Sequence, residues 1–234
     1  MRAVLLAAGV GSRLRPVTDT TPKCMLPVDG APLLDIWLDA FALAGVGQVL
    51  VNLHHLPEAV TRHVAGRTVP PEVRLTFEPE LLGSAGTLVV NRGWLDDDED
   101  GFFLACNADN LTDFDLAVLI EEHRANDAMA TLTVFRSPRP WAGGVVELDQ
   151  ARTVVGFTEK PAEPVSDLTN AGMYAFRSDV LDGLGPPPKD IGFDLLPRLV
   201  GRAKAVIVDG YFRDIGTPEA YRQAKAEWPG RARR

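Results

Sequence analysis

Residues 2–16 read RAVLLAAGVGSRLRP, an apolar run that passes directly into a loop with two glycines. Arg2–Ala8 is apolar after its first residue, which is typical of a central parallel strand buried on both faces. Gly9 and Gly11 allow a sharp turn at the carboxyl end of this strand, where open α/β sheets bind their ligands. Because successive backbone amides in such a turn attract phosphate oxygens, the stretch predicts a phosphate-binding loop.

Strands and helices alternate through the rest of the first half, as the apolar residues and turn signals indicate. Strands are predicted at Val49–Leu53, Val73–Phe77, Phe102–Cys106 and Met129–Phe135, and helices at Pro32–Ala44, Glu58–Val64 and Asp115–Ala125. This alternation predicts an α/β domain, doubly wound, with right-handed crossovers.

The second half is richer in β-structure. Gly144–Leu148 and Val154–Phe157, separated by a turn at residues 149–150, predict a β-hairpin. Short strands are predicted at Met173–Phe176 and Ala205–Val208, and helices at Ile191–Val200 and Pro218–Glu227.

Composition limits the class of protein. The 234 residues are 46% hydrophobic and 24% charged, which is enough for a sizeable core. The net charge of −8 disfavours a nucleic-acid partner, and no apolar run reaches the length of a membrane span. Two cysteines are too few for a disulfide scaffold, and no zinc-ligand spacing occurs. We therefore expect a cytoplasmic protein with no membrane partner, in which the acidic run Asp96–Asp100 is a solvated loop.

The glycine loop differs from the two common nucleotide-binding loops. It lacks the third glycine of the dinucleotide fingerprint and the Gly-Lys-Ser/Thr of a P-loop. It offers Arg13 instead, with Lys23 a few residues further on. Two cations beside an amide-lined turn can neutralise a triphosphate and stabilise the charge that develops in phosphoryl transfer.

Residues 6–18, LAAGVGSRLRPVT, and residues 22–28, PKCMLPV, together resemble the signature of the sugar-1-phosphate nucleotidyltransferases. The resemblance continues to Asp214 and beyond. It implies a Rossmann-like nucleotidyltransferase domain with a mixed central sheet and a small β-rich sugar-binding subregion. On this basis residues 1–234 form one domain, with a nucleotide-binding half at about 1–135, a sugar-phosphate-binding half at about 136–228 and a basic tail at 229–234. The nucleotide-binding residues implied for the loop are Leu6, Ala8, Gly9, Gly11, Arg13 and Lys23, the last two also being catalytic.

A second stretch, residues 77–87, reads FEPELLGSAGT and resembles the family's loop against the base and ribose. Gly83 would allow close approach of the backbone to the nucleotide. A carboxylate can accept hydrogen bonds from guanine, so Glu78 or Glu80 is a candidate for reading the base. Relatives that use thymine or uracil often carry Gln at the position of Glu78, and the difference favours GTP.

Two aspartates match the family's metal ligands, Asp109 in NADN at residues 107–110 and Asp214 before Gly-Thr-Pro at residues 216–218. Ala108 stands where the family usually has Gly. Mg²⁺ typically binds one or two carboxylates together with substrate phosphates. The resemblance therefore implies Mg²⁺ as cofactor, with both aspartates catalytic.

The sugar-phosphate site is implied by three later motifs. Gly144 leaves room for a sugar ring, Glu159 would accept sugar hydroxyls, Lys160 would hold the sugar phosphate, and Asn170 offers an amide that both donates and accepts.

Several functions stay open at this point. The best match is transfer of a nucleotidyl group from GTP to mannose or manno-heptose 1-phosphate; the alternatives are a uridylyl- or thymidylyltransferase for glucose or amino-sugar 1-phosphate, and then a cytidylyltransferase. From other classes, the chain could be a catalytically silent regulatory subunit that binds a nucleotide-sugar, or a glycosyltransferase using Asp113–Asp115 as an Asp-x-Asp metal motif.

The sequence ends soon after Pro218–Glu227, so we expect no C-terminal β-helix. The resemblance also suggests a homodimer.

Overall fold

A nine-stranded mixed β-sheet runs through both halves of residues 1–228, the part of the chain that the computed structural model describes. Within this part the strands are β1 (Arg2–Leu6), β2 (Pro27–Val28), β3 (Ala31–Pro32), β4 (Gln48–Leu53), β5 (Glu72–Phe77), β6 (Phe102–Asn107), β7 (Asn110–Thr112), β8 (Ala130–Arg136), β9 (Gly144–Leu148), β10 (Val154–Glu159), β11 (Leu168–Arg177), β12 (Ala203–Ile207) and β13 (Phe212–Asp214). The α-helices are α1 (Leu33–Leu43), α2 (Pro57–Ala65), α3 (Ser84–Val90), α4 (Arg92–Asp96), α5 (Leu116–Arg124) and α6 (Pro218–Glu227). The predicted tail at residues 229–234 lies outside the described residues.

The first half alternates strands with helices because its main strands are parallel, and parallel neighbours need a crossover connection. The order is β10-β9-β11-β6-β1-β4-β5, with β8 pairing with β11 and β12. Strands β6, β1, β4 and β5 are parallel, whereas β11 is antiparallel to β6 and β8 is antiparallel to β11. The prediction of an α/β fold with a mixed central sheet is confirmed.

The central strand β1 is covered on both faces, as its apolar run predicts. Ala3 and Leu5 pack in a core layer with α1 and α5, while Val4 packs in the opposite layer with α3. Burial of both faces removes the alternation of polar and apolar residues that a half-exposed strand would show. The glycine loop therefore follows a strand that is packed into the core on both faces.

Three predicted elements differ from the structure. Ile191–Val200 is a π-turn at Ile191–Leu195 followed by a 3₁₀ turn at Leu196–Leu199, because Pro197 has no N–H to continue a regular helix. Strand β11 is much longer than Met173–Phe176, and its pairing is irregular around Gly172, whose φ is +72°. The predicted solvated loop at residues 96–100 is wrong in part: the amino-terminal nitrogen of Met1 lies 3.1 Å from Asp100 Oδ2, and the Asp98 side chain is 6% exposed.

Among residues 1–228 no helix is both long and apolar enough to cross a membrane. Both cysteines, Cys24 and Cys106, are buried and unbridged, and burial raises the pKa of the Cys24 thiol to about 12.

Buried His123 on α5 makes the stability of the fold depend on pH. Its Nδ1 lies 2.9 Å from Thr131 Oγ1, and its ring packs on Phe102. Burial, together with the charge of Arg177, lowers the pKa of His123 from 6.5 to about 4. The unfolded chain therefore binds a proton near pH 6.5 that the folded chain takes up only near pH 4, and acidification between these values favours unfolding.

The consequence can be measured as a loss of stability at acid pH that substitution of His123 should reduce. Between pH 7 and pH 5 we expect His123 to lower the free energy of unfolding by about 2 kcal/mol. His123→Gln keeps a side chain that can hydrogen-bond to the Thr131 hydroxyl but carries no titratable group. Urea unfolding at both pH values should show a smaller acid loss for this variant, by about 2 kcal/mol. An equal loss in the two proteins would contradict the assignment.

Candidate active site

The loop after β1 is held in shape by two side chains from elsewhere in the chain. The Ala7 amide donates to Asn52 Oδ1 at the end of β4 (2.6 Å), and the Thr18 hydroxyl donates to the Gly11 carbonyl (2.8 Å). Gly11 has φ +66°, and a Cβ there would lie 2.9 Å from the Thr18 methyl group. The turn therefore requires glycine at position 11, and it presents Arg13 on the short 3₁₀ turn Ser12–Leu14.

A two-stranded antiparallel ribbon brings together the two aspartates predicted to bind metal. It pairs β7 with β13, so that Asp214 lies opposite Asn110, the neighbour of Asp109. The Ile215 amide donates to the Asp109 carbonyl (3.0 Å), which extends the pairing past the end of the ribbon. Two carboxylates separated by about a hundred residues thus project into one region.

Lys23 links these carboxylates. Its Nζ lies 2.6 Å from Asp109 Oδ2 and 3.9 Å from Asp214 Oδ1, and its side chain is only 10% exposed. A buried ammonium requires such partners, since an unpaired buried charge is costly. The side chains of Asp109 and Asp214 are 37% and 55% exposed, whereas that of Lys23 is largely buried.

Arg13 completes this cluster of charges. A Cβ at Gly216 would lie 2.8 Å from Arg13 Nη2 and 2.9 Å from Asp214 Oδ1, so both side chains pass close to this glycine. Loss of hydration in the cleft, followed by the negative charge of Asp109, raises the pKa of the Asp214 carboxyl, while Lys23 and Arg13 act against this shift. The structure therefore brings together all four side chains predicted to be catalytic.

The chemistry of this cluster fits a hard divalent cation. Carboxylate oxygens are the ligands that Mg²⁺ prefers, and one or two of them suffice when water and phosphate complete the coordination. No larger set of His, Cys, Asp and Glu side chains converges as a metal site within residues 1–228. A cation bound by these two carboxylates would thus take the rest of its ligands from water and substrate oxygens.

Two adjoining cavities open beside the charged cluster, with volumes of about 430 and 800 Å³. Both are lined by Asn107, Asp109, Glu159, Lys160 and Asn170, so they form one continuous cleft. Predicted residues in the smaller, inner cavity are Leu6, Ala8, Gly9, Glu78, Gly83, Asp109, Glu159, Lys160 and Asn170. Those in the larger, outer cavity are Arg13, Asp109, Gly144, Glu159, Lys160, Asn170 and Asp214.

Three predicted residues lie outside the lining of both cavities. Gly11 and Lys23 lie behind it, where a Cβ on Gly11 would be 3.6 Å from Lys23 Cβ. Glu80 is exposed on the loop after β5. Lys23 nevertheless reaches the cleft through its contact with Asp109. The neighbour of Glu80, Leu81, lines the inner cavity, but Glu80 itself does not.

Glu78 is buried in the floor of the inner cavity and is bonded through both carboxylate oxygens. Its Oε1 accepts from Asn52 Nδ2 (2.8 Å) and from the Thr87 hydroxyl (2.6 Å), and its Oε2 accepts from the Leu82 amide (3.1 Å). The carboxylate therefore connects the end of β4, the loop after β5 and the start of α3. That Glu78 recognises the base stays a prediction. Such a contact would use the lone pairs of the carboxylate that these three hydrogen bonds leave free.

The loop before α3 is packed against a segment that is distant in the sequence. Gly83 has φ +75°, and a Cβ there would lie 2.3 Å from the Lys189 carbonyl oxygen. The Lys189 amide donates to the Leu82 carbonyl (2.9 Å), and the Gly86 amide donates to the Lys189 carbonyl (3.0 Å). The segment around Lys189 thus forms one wall of the inner cavity.

Glu159 lies between two glycines, of which Gly192 belongs to the segment that follows Lys189. A Cβ on Gly144 would be 2.7 Å from Glu159 Oε2, and one on Gly192 would be 2.6 Å from the same atom. Burial raises the pKa of Glu159, the charge of Asp190 adds to the rise, and Lys160, whose Nζ is 3.6 Å from Glu159 Oε1, lowers it. Asn170 donates to the Tyr174 hydroxyl (2.7 Å). These residues form a polar wall suited to a ligand with several hydroxyl groups.

The sequence analysis missed several residues that line the cleft. These are Asn52, Ser84, Asn107, Arg139, Asp190 and Phe193. The one available signal was Asn52, a polar residue inside the apolar strand QVLVNL. The others stand in loops, at the end of a strand, at the first residue of α3 or in the π-turn, where periodicity carries no information.

Comparison with known proteins adds three findings. A family model described as Nucleotidyl transferase matches residues 2–229. The mannose-1-phosphate guanylyltransferase of Mycobacterium tuberculosis is 34% identical over 232 residues, covering 96% of this chain and 64% of the relative. The UTP–glucose-1-phosphate uridylyltransferase of Synechocystis sp. is 34% identical over 242 residues, covering 96% of this chain and 62% of the relative. The chain thus spans just under two thirds of the length of these curated relatives.

Among solved structures, HddC from Yersinia pseudotuberculosis, complexed with GMP-PN, has the same fold, with a TM-score of 0.80 and 25% sequence identity. The similarity covers 96% of this chain and 98% of that chain.

Proposed function

We propose, from the premise that this chain belongs to the nucleotidyl transferase family, that it transfers a nucleotidyl group from an NTP to a sugar 1-phosphate. The resemblance inferred from the sequence is confirmed at the level of the family. One observation carries the proposal: Arg13, Lys23, Asp109 and Asp214 converge beside the glycine loop, and Asp109 lies where the two cavities adjoin. This arrangement suits a reaction in which phosphate charge must be neutralised.

The proposed reaction is an in-line substitution at the α-phosphorus of the NTP. A phosphate oxygen of the sugar 1-phosphate forms the new P–O bond, the bond from the α-phosphorus to the bridging oxygen breaks, and pyrophosphate leaves with that electron pair. The attacking oxygen is already anionic, so no general base is needed. Catalysis then depends on alignment of the two substrates and on neutralisation of charge.

We assign each residue a role from its position in the cleft. Asp109 and Asp214 would hold Mg²⁺, which when bound neutralises charge on the α-phosphate. Arg13 and Lys23 stabilise the pyrophosphate that leaves. Lys160 positions the acceptor phosphate, and Glu159 with Asn170 accepts or donates to the sugar hydroxyls.

For the substrates themselves, we propose GTP with mannose 1-phosphate or a manno-heptose 1-phosphate. Support comes from the name of the mycobacterial relative, from the GMP-PN complex of HddC and from the glutamate at position 78. The Synechocystis relative, equally identical in sequence, supports the alternative of UTP with glucose 1-phosphate. The cytoplasmic location and the homodimer stay predictions.

The test is a coupled pyrophosphate-release assay with Mg²⁺ on the purified protein. GTP, UTP, dTTP and CTP are each combined with mannose, manno-heptose, glucose and N-acetylglucosamine 1-phosphates. We expect turnover that needs both substrates and is fastest with GTP and a mannose-type acceptor. Preference for UTP and glucose 1-phosphate would favour the alternative, and no turnover with any pair would overturn the proposal.

A further inference from the structure

One exposed aromatic ring lies in the inner cavity without a role in the chemistry described above. Phe193 is 61% exposed and lines this cavity. The other exposed aromatic side chains of residues 1–228, Phe77 and Trp141, line neither cavity. A large apolar group left open to solvent inside a ligand cavity is a candidate contact for that ligand.

The backbone around Phe193 is held rigidly without any ligand. Asp190 Oδ1 accepts from the amides of Gly192 (2.8 Å) and Phe193 (3.2 Å). Ser84 at the start of α3 donates its hydroxyl to Asp190 Oδ2 (2.9 Å) and accepts from the Ile191 amide (2.8 Å). Binding against a ring presented in this way requires little further ordering, which favours affinity.

The neighbours of Phe193 indicate which substrate it contacts. Lys160 Nζ lies 5.8 Å from the centre of its ring, and the preceding residue, Gly192, lies against the Glu159 carboxylate. Both polar residues belong to the wall proposed for the acceptor. Phe193 therefore adds an apolar surface to the wall that supplies the hydrogen bonds and the positive charge.

We propose that Phe193 is a specificity-determining residue that packs on the apolar C–H face of the acceptor's sugar ring. A pyranose carries hydroxyls around its rim and C–H groups on its faces, so polar contacts alone leave one face uncovered. The ring of Phe193 covers that face while Glu159 and Lys160 bind the hydroxyls and the phosphate. This inference rests on the proposed function and concerns the acceptor alone.

The experiment compares Phe193→Ala, Phe193→Tyr and a Leu43→Ala control with the wild type. Leu43 is 69% exposed at the end of α1 and outside both cavities, so it controls for loss of an exposed apolar side chain. Steady-state rates give the KM of each substrate, with mannose 1-phosphate or glucose 1-phosphate as acceptor and GTP or UTP as donor. Calorimetry gives the Kd of the sugar 1-phosphate, and thermal unfolding reports on stability.

We expect Phe193→Ala to raise the KM and Kd of the sugar 1-phosphate about tenfold, with the KM of the NTP and the Tm unchanged. Phe193→Tyr should restore both values, and Leu43→Ala should leave them unchanged. An unchanged acceptor KM in Phe193→Ala, or an equal rise in the KM of the NTP, would overturn the inference while the proposed function stands. No turnover by the wild type with any substrate pair would instead overturn the proposed function, and this inference with it.

Discussion

Replacement of Asp109 by alanine is expected to lower kcat for pyrophosphate release about 10²–10³-fold, as removal of one charge-stabilising group from a transition state does. Asp109 is the carboxylate that contacts Lys23 at 2.6 Å and lies at the junction of both cavities. Its loss would remove one of the two carboxylates proposed to bind Mg²⁺ and release the Lys23 ammonium from its position. The coupled assay at saturating substrates and Mg²⁺ measures the effect.

Two further variants separate this effect from damage to the fold. Asp182→Ala removes a carboxylate of an exposed ion pair with Arg92 and should keep the wild-type kcat. Asp109→Asn keeps the size of the side chain and removes its charge, so its kcat should fall nearly as far as that of Asp109→Ala. A kcat within tenfold of the wild type in both Asp109 variants would contradict the role of this carboxylate.

The parts of the fold that the sequence predicted well are those with a continuous or a periodic run of apolar residues. Strand β1 and helix α1 each bury a continuous set of side chains, and their bounds agree with the prediction to within two residues. The ribbon of β7 and β13 has only three residues in each strand and joins positions a hundred residues apart. So short an element has no period to detect, and only the family resemblance indicated that Asp109 and Asp214 meet.

Glu78 illustrates what a residue pattern cannot supply. Its position in a loop after a strand predicts an accessible carboxylate, as does its place in the family motif. In the structure it is 2% exposed because Asn52 and Thr87 donate to it from two other elements. Such burial depends on which polar groups the tertiary fold brings next to the carboxylate. The local sequence around Glu78 does not encode these contacts.

The contact between Gly83 and the Lys189 segment is another tertiary contact that local sequence does not encode. A second prediction rests on it. Gly83→Ala is expected to lower the free energy of unfolding by about 3 kcal/mol and the Tm by roughly 6–12 °C. Alanine is strained at φ +75°, ψ 160°, and its Cβ would lie 2.3 Å from the Lys189 carbonyl oxygen. Because the obstacle is backbone, the wall of the inner cavity must move, and kcat/KM should fall at least about tenfold.

Gly93→Ala is the matched control, since Gly93 lies in α4, has no positive φ and has no heavy atom within 4 Å of a Cβ built on it. Alanine there should leave the Tm unchanged or raise it slightly, because it favours the helix more than glycine does. Thermal and urea unfolding of both variants measure the difference. If Gly83→Ala were as stable as Gly93→Ala, the Lys189 segment would have to yield easily, and the rigid wall that presents Phe193 to the cleft would not exist.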